Sequence, residues 1–156
     1  MLQNMRRFDE SLPMRLLKAR EAVLQQWLPH LRRHGLSKEQ WRVMRTLAER
    51  GALDVGALAE HCALLRPSVS RILQKLEADG FIDRKVCDQD NRRAVASISV
   101  LGRRKIAEIA PELQAYNLYI EERIGKDRLK VLSELIDEVV LALGEPPLHD
   151  SKKGSA

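Results

Sequence analysis

Several things are missing from the 156-residue chain. No apolar run approaches the roughly 18 residues a membrane-spanning helix needs, so a helical membrane span is excluded. The opening stretch "MLQNMRRFDE" has no apolar core long enough for a secretory signal, and a cytoplasmic protein is the expectation. There is no internal repeat, no glycine-rich phosphate loop and no serine or cysteine in a nucleophile elbow. Cysteine is nearly absent. Cys62 and Cys87 lack CxxC spacing and read as free, partly buried thiols rather than as a redox pair. Neither lies in a cationic helix-start setting that would lower its pKa. The four histidines are not spaced with these cysteines as a catalytic set, so an enzyme is not expected. No cofactor or resident metal is expected either.

What is present is a globular composition, 44% hydrophobic, and a net charge of +5 that is not spread evenly. Of 27 Lys and Arg, ten lie between Arg66 and Lys105; of 22 Asp and Glu, five do, which leaves 17 of each sign elsewhere. The whole positive excess therefore sits in one stretch of about a quarter of the chain. A localised excess of this kind points to a polyanionic partner.

The periodicity is helical over most of the chain. Ser11 and Pro13 mark a helix start, with serine able to cap. Leu16, Ala19, Val23, Trp27 and Leu31 then fall on one face, and Pro29 is expected to kink the helix or loosen its last turn. Gly35 stops it. Ser37, with Gln40 at the capping-box position, starts a second helix from Lys38 to Arg50. Asp54 caps a short third helix, Val55 to Cys62. A fourth begins at Pro67 and reaches about Asp79, with Val69, Ile72, Leu73 and Leu76 inward. "FIDRKV" and "AVASIS" read as strands joined by the charged turn "CDQDNRR", Val95 and Ile98 being the apolar positions of the second. Ser99 caps a long fifth helix. A break at Gly125–Lys126 precedes a sixth, carrying Leu129, Leu132, Leu135, Ile136, Val139 and Leu143. The fold expected is mainly α with a small β wing, in the order α-α-α-α-β-β-α-α. Residues 37–99 form a winged helix-turn-helix lobe, residues 1–36 and 100–143 a helical dimerisation region, and residues 144–156 a disordered tail.

The third and fourth helices make a helix-turn-helix, whose second helix lies in the major groove with its N-terminal residues at the base edges. Arg66, Pro67, Ser68, Ser70 and Arg71 occupy that end. Ser68 and Arg71 lie off the core face, and their hydroxyl and guanidinium suit phosphate and base-edge contacts. Lys75, one turn beyond Arg71, continues the face toward a phosphate. A lone basic helix would read as a solvated surface, but here a basic hairpin follows directly. Arg92 and Arg93 stand at its tip, where they can reach the minor groove. Asp90 is a positioning partner rather than a DNA contact, since phosphates repel it.

The stretch "RPSVSRILQKLEADGFIDRKVCDQDNRRAVASISVLG" resembles the recognition helix and wing of MarR-type regulators. It includes their D-x-R wing signature, as Asp90 and Arg92, and a version of their L-T-x-x-G, as Ile98-Ser99-Val100-Leu101-Gly102. The helix order fits from about residue 8 to 143. The resemblance implies an obligate homodimer built from the first and last helices and bound to a palindromic operator in double-stranded DNA. Leu132, Leu135, Ile136 and Val139 are the interface candidates; otherwise they complete a monomer core. The stretch "SLPMRLLKAREAVLQQWLPHLRRHGLSKEQWRVMRTL" further resembles the regulators of homoprotocatechuate (hydroxyphenylacetate) catabolic operons within that family. This implies a repressor released by a small aromatic acid. Such a ligand needs a cation for its carboxylate, a polar partner for its hydroxyl and an apolar wall. Arg15 and Arg45, with Ser11, Met14 and Trp41, are the candidates; Arg20 and His34 are further options. A helix arginine can instead pair with Glu21, Glu39 or Glu49. Two variants of the function stay open: a metal-responsive regulator using His30 and His34, four apart on one helix, or a thiol-responsive one. A non-DNA-binding interaction module is the rival from another class.

Overall fold

The computed structural model describes residues 7–86 and 94–144. Cys87, Asp90, Arg92, Arg93 and the tail beyond Gly144 lie outside the described residues. The chain divides into two compact units, Met1–Ser37 and Lys38–Ala156.

The first unit holds a 3-10 turn, Phe8–Glu10, and helix α1, Leu12–Arg33. Ser11 stands at the N-cap of α1, but its hydroxyl donates backward to the Phe8 carbonyl at 2.7 Å instead of capping forward. The 3-10 turn offers that carbonyl three residues back, so the local bond wins. Helix α1 continues a full turn past Pro29, whose ring removes one amide from the ladder. It ends on Gly35 at φ +73°. There the Leu36 N–H bonds the Leu31 carbonyl and the Gly35 N–H bonds that of Arg32, both at 3.0 Å, the paired bonds of a Schellman motif.

The second unit contains α2 (Lys38–Arg50), β1 (Leu53–Asp54), α3 (Val55–Cys62), α4 (Arg66–Ala78), β2 (Ile82–Val86), β3 (Ala94–Ile98), α5 (Val100–Ile124) and α6 (Lys126–Leu143). The expected two-stranded wing has a third strand. The sheet order is β1-β3-β2, all antiparallel, with Leu53 opposite Ala96 and Ile82 opposite Ile98. A two-residue strand carries no alternation, which is why β1 leaves no mark in the sequence. The inward residues of β3 are Ala96 and Ile98, while Val95 is half-buried on the other face. Residues 95 and 98 are an odd number apart and cannot share a face of a strand. Ala96 is the central position, paired on both sides, where a small side chain fits.

The core of this unit is Val43, Met44 and Leu47 from α2, Leu58, Ala59 and Cys62 from α3, and Val69, Leu73 and Leu76 from α4. Ile82, Ala96, Ile98 and Ile109 close it. No helix among the described residues is long and apolar enough to cross a membrane.

Candidate nucleic-acid interface

The turn between α3 and α4 is only three residues long. Asp54 caps α3 by accepting the Ala57 N–H at 2.8 Å. The other end closes on Ala63, held in the left-handed region at φ 48°, with the Leu64 N–H on the Ala59 carbonyl at 3.0 Å. A residue with a Cβ is strained there, and the tight turn is what swings α4 away from α3. Arg42 of α2 supports the turn by donating to the Cys62 carbonyl at 2.7 Å.

Helix α4 is two-faced. Val69, Leu73 and Leu76 are buried, while Arg66, Pro67, Ser68, Arg71 and Lys75 are exposed and Ser70 and Ile72 are half-buried. The helix begins at Arg66, one residue earlier than expected, with Pro67 in the first turn. Arg71 has no ion-pair partner among the described residues. Lys75 meets Asp79 at 2.8 Å, an exposed pair worth little in water and easily exchanged for a phosphate. Arg66 folds back, its Nη2 lying 3.1 Å from where a Cβ on Gly56 would stand. Of the sequence-derived set on α4, Arg66, Pro67, Ser68, Arg71 and Lys75 are thus exposed and Ser70 only partly so.

The C-terminal end of α4 is fastened to α5. Gly80, at φ +77°, ends α4 with the Phe81 N–H on the Leu76 carbonyl at 2.9 Å. The Phe81 carbonyl then accepts the Ser99 N–H at 3.0 Å. The Ser99 hydroxyl donates to the Gly80 carbonyl at 2.6 Å and accepts the Gly102 N–H at 3.0 Å, so one side chain caps α5 and ties it to the end of α4. A Cβ on Gly102 would lie 2.1 Å from the Phe81 oxygen. The serine and glycine of "ISVLG" are therefore a joint between helices. From the sequence, only the cap was visible. Arg84 of β2 reaches Glu77 of α4 at 3.5 Å and adds a second, partly exposed link.

The expected effector residues are placed as follows. Ser11 is engaged with Phe8, and the Arg15 Nε donates to the Glu10 carbonyl at 3.0 Å; Met14 is half-buried. On α2, the Arg45 guanidinium stacks over the buried Trp41 ring at 5.6 Å, and its Nε donates to Glu49 Oε1 at 2.9 Å. Arg45 is thus the arginine paired with Glu49 that the sequence allowed for. An open groove of about 610 Å³ runs along α1 between Leu17 and Arg32 and includes none of these five residues.

His30 stacks on Trp27 with centroids 5.6 Å apart, and its Nδ1 meets Arg33 Nη2 at 2.7 Å. Cys62 is buried. Desolvation pushes its thiol pKa up, against the smaller pulls of the Thr46 hydroxyl and the Arg42 guanidinium. A thiol held protonated in the core is a poor nucleophile. On α6, Leu132, Leu135 and Ile136 are 46%, 53% and 41% exposed, and Val139 is half-buried.

Comparison with known proteins bears on the family and the fold. The model of the MarR family matches residues 36–95. The HTH-type transcriptional regulator FarR of Neisseria gonorrhoeae is 35% identical over 129 residues, spanning 83% of this chain and 88% of FarR. The chain belongs to the MarR family of transcriptional regulators. A second relative, the homoprotocatechuate degradative operon repressor of Escherichia coli, is 32% identical over 90% of this chain and 95% of its own length. The crystal structure of NadR in complex with 4-hydroxyphenylacetate superposes with a TM-score of 0.75 at 33% identity, over 88% of this chain and 97% of NadR. A winged helix-turn-helix within a mainly helical chain is thus both the observed architecture and that of a liganded relative.

Proposed function

We propose that this MarR-family chain is a repressor that binds a palindromic operator as a homodimer and is released by an aromatic acid, with a hydroxyphenylacetate as the leading candidate. The observation that carries the DNA-reading part is the split of α4. Its apolar residues are inside, while the exposed face holds Arg66, Pro67, Ser68, Arg71 and Lys75 in the one stretch that carries the chain's positive excess. Ser70, Arg92 and Arg93 complete the proposed DNA set, with Asp90 bracing Arg92. The dimer is supported by α6, which buries no residue in its own chain. A partner copy covering Leu132, Leu135, Ile136 and Val139 would set two recognition helices about one DNA turn, roughly 34 Å, apart. The aromatic effector is supported by the two relatives whose names concern homoprotocatechuate and 4-hydroxyphenylacetate.

The test is a gel shift on the DNA upstream of the chain's own coding region, with and without a panel of aromatic acids. Retarded DNA that a hydroxyphenylacetate releases is the expected result. Release by none of the acids removes the effector, and no retardation removes the repressor. Arg15→Ala and Arg45→Ala proteins should still bind DNA and lose the ligand response. If both respond normally, those residues do not hold the effector.

A further inference from the structure

We infer that Leu65 is a specificity-determining residue whose side chain contacts the 5-methyl group of a thymine in the operator. The inference rests on the DNA-reading function proposed above. Leu65 occupies the N-cap of α4, and no side chain caps that helix. Ser, Thr, Asp and Asn are favoured at an N-cap because a side-chain oxygen there accepts a free backbone N–H. The neighbouring helices follow that rule, α3 through Asp54 and α5 through Ser99. Leu65 offers no oxygen and is 43% exposed besides. The leucine before it, Leu64, is half-buried, so the turn sends one leucine inward and the other out. Helix capping and solvation both favour a polar residue at 65, yet an apolar one stands there.

What the position supplies is an apolar side chain at the leading end of the helix, beside exposed Arg66, Pro67 and Ser68. Thymine is the one base that presents a methyl group in the major groove, and apolar side chains are its natural contact. A recognition helix entering with its N-terminal end at the base edges brings residue 65, at the N-cap, to that end. The cations around it would repel a second basic protein and attract DNA. Leu65 itself adds no charge. Its effect is therefore on the choice among sequences and not on the salt dependence of binding.

The experiment uses the full-length protein. Duplexes are selected from a random pool, and each thymine of the selected sequence is then replaced in turn by deoxyuridine, in both half-sites. That deletes the methyl and leaves the hydrogen-bonding edges intact. Affinities are measured for wild type, Leu65→Ala and Leu65→Ser. One thymine position should be found whose replacement weakens wild type about fourfold per half-site, the worth of one buried methyl-sized group. Both variants should bind more weakly than wild type, with an unchanged salt slope, and be indifferent to that replacement. Leu65→Ser should also melt higher than wild type, because serine restores the cap. Weaker binding by a more stable protein separates reading from folding. Wild-type indifference to every deoxyuridine overturns the inference while leaving the DNA-reading function in place. So does a variant that keeps the wild-type affinity and thymine sensitivity. If wild type selects no sequence at all, the function proposed above falls, and Leu65 with it.

Discussion

Helices α4 and α6 are both amphipathic, and they treat their apolar stripes in opposite ways. Helix α4 buries Val69, Leu73 and Leu76 in its own unit and turns cations and hydroxyls outward. Helix α6 has as rich a stripe in Leu132, Leu135, Ile136 and Val139, and buries none of it. In α4 the exposed face is polar; in α6 it carries apolar side chains. The elements around α4 thus share a buried core, while α6 leaves most of its apolar stripe exposed.

Truncation in the two stripes should break the symmetry most sharply. Leu73→Ala opens a cavity in a site that is 2% exposed and should cost about 3 kcal/mol of unfolding free energy, read by urea denaturation. Leu135→Ser and Ile136→Ser should leave the lobe's fold intact and raise the dimer dissociation constant about a hundredfold or more, read by sedimentation. A dimer that survives both substitutions moves the interface elsewhere. Next comes the joint. Gly102→Ala drives a Cβ into the Phe81 carbonyl and should cost about 2–3 kcal/mol. It should weaken operator binding at temperatures where the protein is still folded, because α4 and β2 must shift to make room.

Cys62 sharpens the contrast on the lobe side. Its raised pKa means that the folded state holds the thiol proton more tightly than the unfolded state does. The stability this provides is complete below the ordinary cysteine range. It is lost as pH rises through the raised folded value, so the lobe should weaken at alkaline pH. In a Cys87→Ser protein, native Cys62 should react with iodoacetamide about a hundredfold more slowly than the same thiol in urea. Fast native labelling would reopen a thiol-responsive regulator. The smallest effect belongs to Ala63. Ala63→Gly relieves the left-handed backbone at φ 48° and should stabilise the lobe by a few tenths of a kcal/mol, since the gain is partly offset by the freer unfolded chain. A loss of stability there would mean that the turn is not strained.

How much of this was legible in the sequence depended on repetition. The stripes of α4 and α6 recur at three- and four-residue steps, so the faces of Arg71 and Leu135 are readable from the sequence alone. Ser99 was legible as a cap, because a serine before a helical run has few other uses. Its second bond to Gly80 was not, since that contact joins residues 19 apart. The strand Leu53–Asp54 was too short to repeat. Ser11 looked like a cap and turned the other way, because a 3-10 turn placed a carbonyl within its reach. Leu65 carries no sequence signal for the opposite reason: a leucine beside a helix reads as core, and only its exposure marks it out.

The central claim, that a charged face of this chain grips duplex DNA, is tested most directly by the affinity for a selected duplex over a salt series. The logarithm of affinity should fall linearly with the logarithm of salt, with a slope of about −4 or steeper, and Arg71→Ala should make it shallower by about one if that guanidinium meets a phosphate. An affinity that stays flat as salt rises would contradict the claim.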